Sequence, residues 1–234
     1  MKALNSEIKS ELINEGASLV GFADISNLPA EIRDSMKFAV SMAVALDASI
    51  INEISDGPTK RYYQEYKKAN EFLSYLCKQT AEELKKRGNN AAAIAPTILN
   101  LDFETLATKL PHKTVATRAG LGWIGKSALL ITKEYGPAVR LATVLTDAEF
   151  KVAEPIEKSY CGDCDKCVTH CPVSAISGRT WKPGLERKVI YDAFKCCDNT
   201  KNVSAQIGVV AYICGICINV CPWTQEYISR QEQN

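Results

Sequence analysis

CGDCDKCVTHCP, residues 161–172, decides how the rest of this chain is read. Cys161, Cys164, Cys167 and Cys171 are separated by two, two and three residues, and Pro172 follows the last of them. Tight two-residue turns bring three thiolates of one loop onto one face of a 4Fe-4S cubane, while the fourth cysteine of such a run reaches a second cluster. A companion run, CGICINVCPW (214–223), holds Cys214, Cys217 and Cys221 separated by two and three residues, again with a proline, Pro222, behind the last. Its missing first cysteine would fall at Ala211, so the fourth sulfur must come from a distance, from Cys196 or Cys197. Crossed ligation then predicts a first set of Cys161, Cys164, Cys167 and Cys221. The second set is Cys171, Cys214, Cys217 and one of the vicinal pair.

Two other chemistries use many cysteines. Structural zinc pairs read as two separated CxxC knuckles, without the third cysteine and the closing proline. A disulfide framework belongs to oxidising compartments, and nothing in this chain announces secretion. Soft thiolates in this spacing suit two iron–sulfur clusters.

Outward from the cysteines, 234 residues with 46% hydrophobic content suffice for a real core. The 28 basic and 27 acidic residues leave a formal charge of +1, which gives no global field toward nucleic acid or membrane. MKALNSEIKSELINEG (1–16) is charged and amphipathic, without a signal-peptide apolar core, a twin-arginine pair or an 18-residue apolar run nearby. A soluble, cytoplasmic protein with no membrane partner is the expectation.

Apolar periodicity supplies the elements. Leu4, Ile8, Leu12 and Ile13 predict a helix over 3–15 ending at Gly16. SLVGFADI (18–25) and FAVSMAVAL (38–46) read as strands, the second buried on both faces. Residues 60–87 read as a long helix with Leu73, Leu76 and Leu84 inward, Cys77 packed beside them, and Tyr62, Tyr63 and Tyr66 at its start in core or rim positions. AAAIAPTIL (91–99), ALLIT (128–132) and AVRLATVL (138–145) are further strands, and LDFETLATKL (101–110) and HKTVATRAG (112–120) are expected to be helical. The polar stretch 147–159, with Pro155, marks a boundary between a core at 1–150 and a lobe at 151–234. Mixed helices and strands before a cluster module predict an α+β fold with a C-terminal ferredoxin-like double 4Fe-4S lobe.

GLGWIGKS (120–127) satisfies both GxGxxG and GxxxxGK followed by Ser. Either motif requires a buried strand before it and a helix after it. HKTVATRA precedes and the short ALLIT follows, so neither an NTPase nor a dinucleotide site is expected. The stretch is more informative as part of a longer pattern. RAGLGWIGKSALLI (118–131), then LATVLTD (141–147), then the two cysteine runs, resemble the epoxyqueuosine reductase family, with reductive dehalogenases as more distant relatives. YDAFKCCDN (191–199) is similar to the family's segment carrying the isolated cluster ligand and aligns Cys196 with it, leaving Cys197 spare.

That resemblance implies a nitroreductase-like α/β core binding a cobalamin, with two clusters relaying electrons to the cobalt. It places Arg118, Gly120, Gly122, Trp123, Gly125, Lys126 and Ser127 near the corrinoid, where N–H groups freed by glycine and the Lys126 ammonium would bind a phosphate of its nucleotide loop. A tight turn packing Trp123 against the cluster lobe is the alternative. The family's acidic proton donor sits in an Asp-Ser/Thr-x-Pro stretch whose place here is near Leu106. Asp102 and Glu104 lie nearby but outside that motif, so the catalytic residue is unassigned. The family's C-terminal repeat domain, which helps bind tRNA, has no counterpart before Asn234, and tRNA is not expected as a partner. His170 is expected to face solvent beside the first cysteine run, and His112 to lie at the surface.

The leading expectation is an iron–sulfur oxidoreductase in electron transfer. It would pass electrons from a donor such as ferredoxin or flavodoxin through two 4Fe-4S clusters to a cobalamin-type cofactor, for a small reductive reaction on a small molecule or for corrinoid reduction and handover. A ferredoxin-type carrier, or a flavin-dependent reductase without corrinoid, is the alternative.

Overall fold

The computed structural model describes residues 2–96 and 104–233. In chain order its elements are α1 (Lys2–Glu15), β1 (Leu19–Asp24), β2 (Phe38–Ala45), α2 (Ala48–Asn52), α3 (Lys60–Lys86), β3 (Ala91–Ile94) and α4 (His112–Arg118). There follow β4 (Trp123–Ile124), β5 (Leu130–Ile131), β6 (Val139–Thr146), α5 (Lys166–Thr169), α6 (Arg187–Ile190), α7 (Ala193–Gln206), α8 (Ile216–Asn219) and α9 (Pro222–Glu232). The chain separates into two compact units, each gathered from three stretches. One holds Met1–Val44, Ala69–Leu121 and Arg140–Ile156; the other holds Ala45–Lys68, Gly122–Val139 and Glu157–Asn234. Residues 45–68 and 122–139 thus group with the cysteine-rich stretch, which a single cut near residue 150 does not anticipate.

In the first unit a four-stranded sheet runs in the order β1-β2-β6-β3. β1 and β2 are antiparallel, with Leu19 opposite Ala43 and Asp24 opposite Phe38; β3 and β6 are antiparallel, with Ala91 opposite Thr146. Alternation along each strand feeds two apolar layers. Val20, Phe22, Val40, Met42, Ala142 and Val144 pack with Ile8 and Leu12 of α1 and with Leu73, Leu76, Cys77 and Leu84 of α3. Ala23, Ala39 and Leu145 join Val115 of α4 in a separate cluster. Leu73, Leu76 and Leu84 are fully buried, and each stabilises the fold by about 1.5–3 kcal/mol. Ile13, one position off the Ile8–Leu12 stripe, is exposed.

Three local expectations change. Residues 104–110 form turns and an isolated bridge instead of a helix, with Leu106 at φ +50° and Pro111 delaying α4 to His112. The strand at AAAIAPTIL stops at Ile94, because Pro96 cannot donate to a ladder; residues 97–103, including Asp102, lie outside the described part of the chain. ALLIT contributes only the two-residue β5, whose partner is β4, a strand inside the glycine-rich loop itself.

Candidate metal centre

All nine clustered cysteines lie in the second unit, on turns and very short helices. The Cys164 N–H donates to the Cys161 carbonyl at 3.1 Å, closing the first CxxC turn, and Cys167 follows in the four-residue α5. The second CxxC turns at Gly215, φ +94°, into α8, which carries Cys217. Cys221 is the N-cap of α9 and Pro222 its first residue. Proline at that position loses no intrahelical bond, and the free N–H groups of the first turn point back at the cap. Backbone N–H groups of Trp223 and Thr224 are directed at the Cys221 sulfur, and the Ala175 N–H donates to the Cys171 sulfur at 3.3 Å. A sulfur bearing such donors is a better-supported ligand for iron.

Mutual proximity sorts eight of these cysteines into two groups. Burial, then the charges of Cys161, Cys221 and Cys164, push the Cys167 thiol up to about 11. Burial pushes Cys221 up to about 11 as well, with Cys161 and Cys164 adding to it against the N–H groups of its own helix. Those four form the first set. Cys217 is raised by burial and then by Cys196, Cys214, Cys167 and Cys171. Cys196 is raised by burial against a hydrogen bond from Tyr191, and its sulfur neighbours include Cys214 and Cys171. Cys214 takes hydrogen bonds from the Ile216 N–H and the Asn199 side chain. Cys197 differs, because its charged neighbours are Asp198 and Lys201. Cys171, Cys196, Cys214 and Cys217 thus neighbour one another, with Cys167 also beside Cys217 and Cys197 beside Cys196.

Four first-set sulfurs and Cys217 line a cavity of about 40 Å³, closed by Lys126, Ser127, Ile131, Pro222 and Trp223. Among the described residues no three His, Cys, Asp or Glu side chains are placed to hold a single metal ion. What the first set shares is a space walled by thiols. Burial disfavours the charged thiolates of Cys167 and Cys221 until a cation arrives, and a coordinating thiol is then deprotonated outright. Such a donor set fits an iron–sulfur cluster.

The glycine-rich loop is the far wall of this cavity. A Cβ on Gly122 would stand 2.1 Å from the Ile131 carbonyl oxygen, and one on Gly125 2.2 Å from the Ile131 Cδ1 and 3.4 Å from the Cys161 sulfur. These glycines let β4 press against β5 and against the cysteines. Trp123, fully buried, meets Tyr160 and Trp223 edge-on, each at 5.1 Å between ring centres. The Gly125 N–H donates to the Leu129 carbonyl and the Gly120 N–H to the Thr117 carbonyl, so neither is spare for a phosphate. The Lys126 ammonium donates to the Cys164 carbonyl at 2.9 Å. Arg118 and Gly120 belong to the first unit, separate from the other five loop residues.

The histidines divide. His170 is exposed, with its Nδ1 2.8 Å from the Lys166 carbonyl. His112, expected at the surface, is instead partly buried, Nδ1 2.9 Å from the Thr143 hydroxyl and Nε2 3.0 Å from the Ala95 carbonyl. A carbonyl only accepts, so Nε2 carries the proton and Nδ1 accepts from Thr143. Burial lowers its pKa to about 4. One anchor escaped the sequence reading. The buried Asn219 amide, between Cys217 and Cys221, donates to the Ile51 carbonyl at 2.8 Å and ties α8 to α2. Its place between two cysteines was the available signal.

Residues 160–224 match the family described as the 4Fe-4S double cluster binding domain. An epoxyqueuosine reductase of Aliivibrio fischeri is 30% identical over 180 residues, covering 72% of this chain and 44% of that protein. The chain is similar to the epoxyqueuosine reductases. It spans less than half the length of the curated relatives it matches. A solved epoxyqueuosine reductase with an epoxyqueuosine-modified tRNA-Tyr stem loop superposes with a TM-score of 0.65 at 21% identity, covering 96% of this chain and 66% of that one. A reductive dehalogenase structure described as suggesting a mechanism for B12-dependent dehalogenation gives 0.71 at 21%, covering 97% and 33%. At those identities the epoxyqueuosine reductases and dehalogenases share the fold with this chain. Among the described residues no helix is long and apolar enough to cross a membrane.

Proposed function

We propose that the chain is an iron–sulfur oxidoreductase holding two 4Fe-4S clusters. Cys161, Cys164, Cys167 and Cys221 ligate one, and Cys171, Cys196, Cys214 and Cys217 the other. The observation that supports this reading is the set of neighbours of each thiol: Cys161, Cys221 and Cys164 beside Cys167, and Cys196, Cys214 and Cys171 beside Cys217, whereas the charged neighbours of Cys197 are Asp198 and Lys201. When bound, such clusters accept and release single electrons. The chain's own residues hold the sulfurs at fixed turns, direct Trp223, Thr224, Ala175 and Ile216 N–H groups at them, and wall the first set with Lys126, Ile131 and Trp223.

The electrons are destined for a cobalamin-type cofactor in the part of the chain over residues 1–150, read as a nitroreductase-like core, while 151–234 carries the ferredoxin-like lobe. Likeness to the dehalogenase described as B12-dependent supports the corrinoid. The reaction served is a small reductive step or the reduction and handover of a corrinoid, with a cytoplasmic electron carrier such as ferredoxin or flavodoxin as the source. The near-neutral charge of +1 is no ground for excluding tRNA, because an epoxyqueuosine reductase of this fold is solved with a tRNA stem loop. A tRNA therefore returns beside small molecules as a candidate substrate.

The test is anaerobic reconstitution with iron and sulfide, then titration with cob(II)alamin followed by EPR. Saturable conversion to a base-off signal supports the corrinoid reading. A signal that remains that of the free cofactor, while both clusters reduce normally, leaves an electron carrier or a flavoprotein.

A further inference from the structure

Lys126 is an unusual lysine. The residue is 7% exposed, and its ammonium donates a hydrogen bond to the Cys164 carbonyl at 2.9 Å. Among the described residues it has no carboxylate partner. A buried ammonium satisfied only by a carbonyl is costly, because its charge is taken from water without an opposite charge in return. The same side chain closes the cavity lined by Cys161, Cys164, Cys167 and Cys221. Four thiolates around an iron–sulfur core bring net negative charge into that cavity, and a bound inorganic centre dominates the local field. Gly125, immediately before it, has no room for a Cβ beside the Ile131 side chain, which keeps this part of the loop close against β5.

We infer that Lys126 is the counter-ion of the first-set cluster and sets its reduction potential. This rests on the two-cluster reading above. One-electron reduction of that cluster makes and breaks no bond, and adds one negative charge supplied by a chemical reductant such as dithionite. A fixed ammonium at the cavity wall favours the more negative form, because charges in a partly buried site are screened less than in water. Lys126 is thus a positioning and tuning residue of the cluster. A purely structural role, as a cap of the Cys164 carbonyl, would need the hydrogen bond but not the charge.

The full chain is reconstituted as wild type, Lys126→Gln and Lys126→Arg, and each is titrated with dithionite under EPR. Glutamine keeps an N–H donor for the carbonyl and removes the charge; arginine keeps the charge. In Lys126→Gln one of the two clusters should shift to lower potential, by at least a tenfold change in its reduced-to-oxidised ratio at a fixed potential, or about 59 mV for one electron. Lys126→Arg should stay near wild type. If glutamine prevents loading of one cluster while arginine permits it, the charge is what holds the anionic centre and the inference stands. Equal potentials in Lys126→Gln and wild type overturn it, as does failure of both variants to load. Failure of the wild type to take up iron would instead remove the two-cluster reading.

Discussion

Gly215 offers the sharpest test of how the cysteine loops are held. It stands between Cys214 and Cys217 at φ +94°, and a Cβ there would lie 2.4 Å from Ile54 Cδ1 and 3.3 Å from Tyr62 Cε1. Ile54 is fully buried and Tyr62 nearly so, which leaves little freedom to yield. Gly215→Ala therefore carries two costs: roughly 1–2 kcal/mol for a left-handed backbone and roughly 1–3 kcal/mol for overpacking, together roughly 2–5 kcal/mol. Ile54→Val removes the Cδ1 atom that the new methyl strikes, and alone costs roughly 0.5–1.5 kcal/mol. In the double variant the overpacking share should disappear while the backbone share persists, giving a favourable coupling of about 1–3 kcal/mol. Urea unfolding of the cluster-free chain under anaerobic reducing conditions measures the cycle. Iron content after reconstitution measures the functional cost, and Gly215→Ala should lose most of the second set's four of about eight irons per chain. Additivity of the two substitutions within about 0.5 kcal/mol would refute the argument, because no shared space would then exist.

Three other measurements bear on the site. Cys196→Ser should lose one cluster's iron, whereas Cys197→Ser should retain about eight irons per chain; the reverse pattern would exchange their roles. Asn219→Leu removes the donor to the Ile51 carbonyl and should destabilise the chain by roughly 1–3 kcal/mol, with faster iron loss to a chelator; unchanged unfolding and chelation would show that α8 is held without this bond. The third measurement uses Cys167 and Cys221, which stand at about 11 in the fold against an ordinary 9.0. A thiol raised on folding contributes stability that is complete below pH 9.0 and lost as pH climbs through about 11. The urea midpoint of the cluster-free chain should fall across that window, and a Cys167→Ala/Cys221→Ala variant should flatten the fall. Cluster uptake should run the other way, improving with pH because ligation releases the thiol protons.

The legible parts of this molecule are those governed by neighbours in sequence. Cys161, Cys164 and Cys167 must meet one cluster from one loop, so their spacing is itself the geometry. The same holds for α1, β1, β2 and α3, whose apolar periods match the faces they bury. His112 was misplaced because its enclosure depends on Thr143 and Ala95, 31 and 17 residues away, and no pattern near Pro111 announces them. LDFETLATKL has helical composition, but Leu106 adopts φ +50°, a choice that composition does not reveal. Cys196 and Cys197 are indistinguishable by spacing; helix α7 separates them by turning one toward Cys171 and Cys214 and the other toward Asp198 and Lys201.

The glycine-rich loop shows most clearly why motif and role part company. GLGWIGKS has the composition of a phosphate cradle because glycine permits both exposed N–H groups and close backbone packing. Which use is realised depends on what stands opposite. Here the Ile131 side chain occupies the space that a Cβ at Gly125 would need, so the glycine yields contact. The cysteine helices α5 and α8 are four residues each, too short to be stable alone. Groups of the same unit hold the helices around the second run: the Asn219 amide on Ile51 holds α8, while the Tyr227 hydroxyl on the Leu46 carbonyl at 3.0 Å and Gly136, where a Cβ would stand 2.5 Å from the Thr224 nitrogen, hold α9. Residues 45–68 and 122–139 are therefore the scaffold that gives the cysteine ladder its geometry. A ladder that short cannot carry its own support, and for that reason its unit boundary is invisible to a reading that moves along the chain.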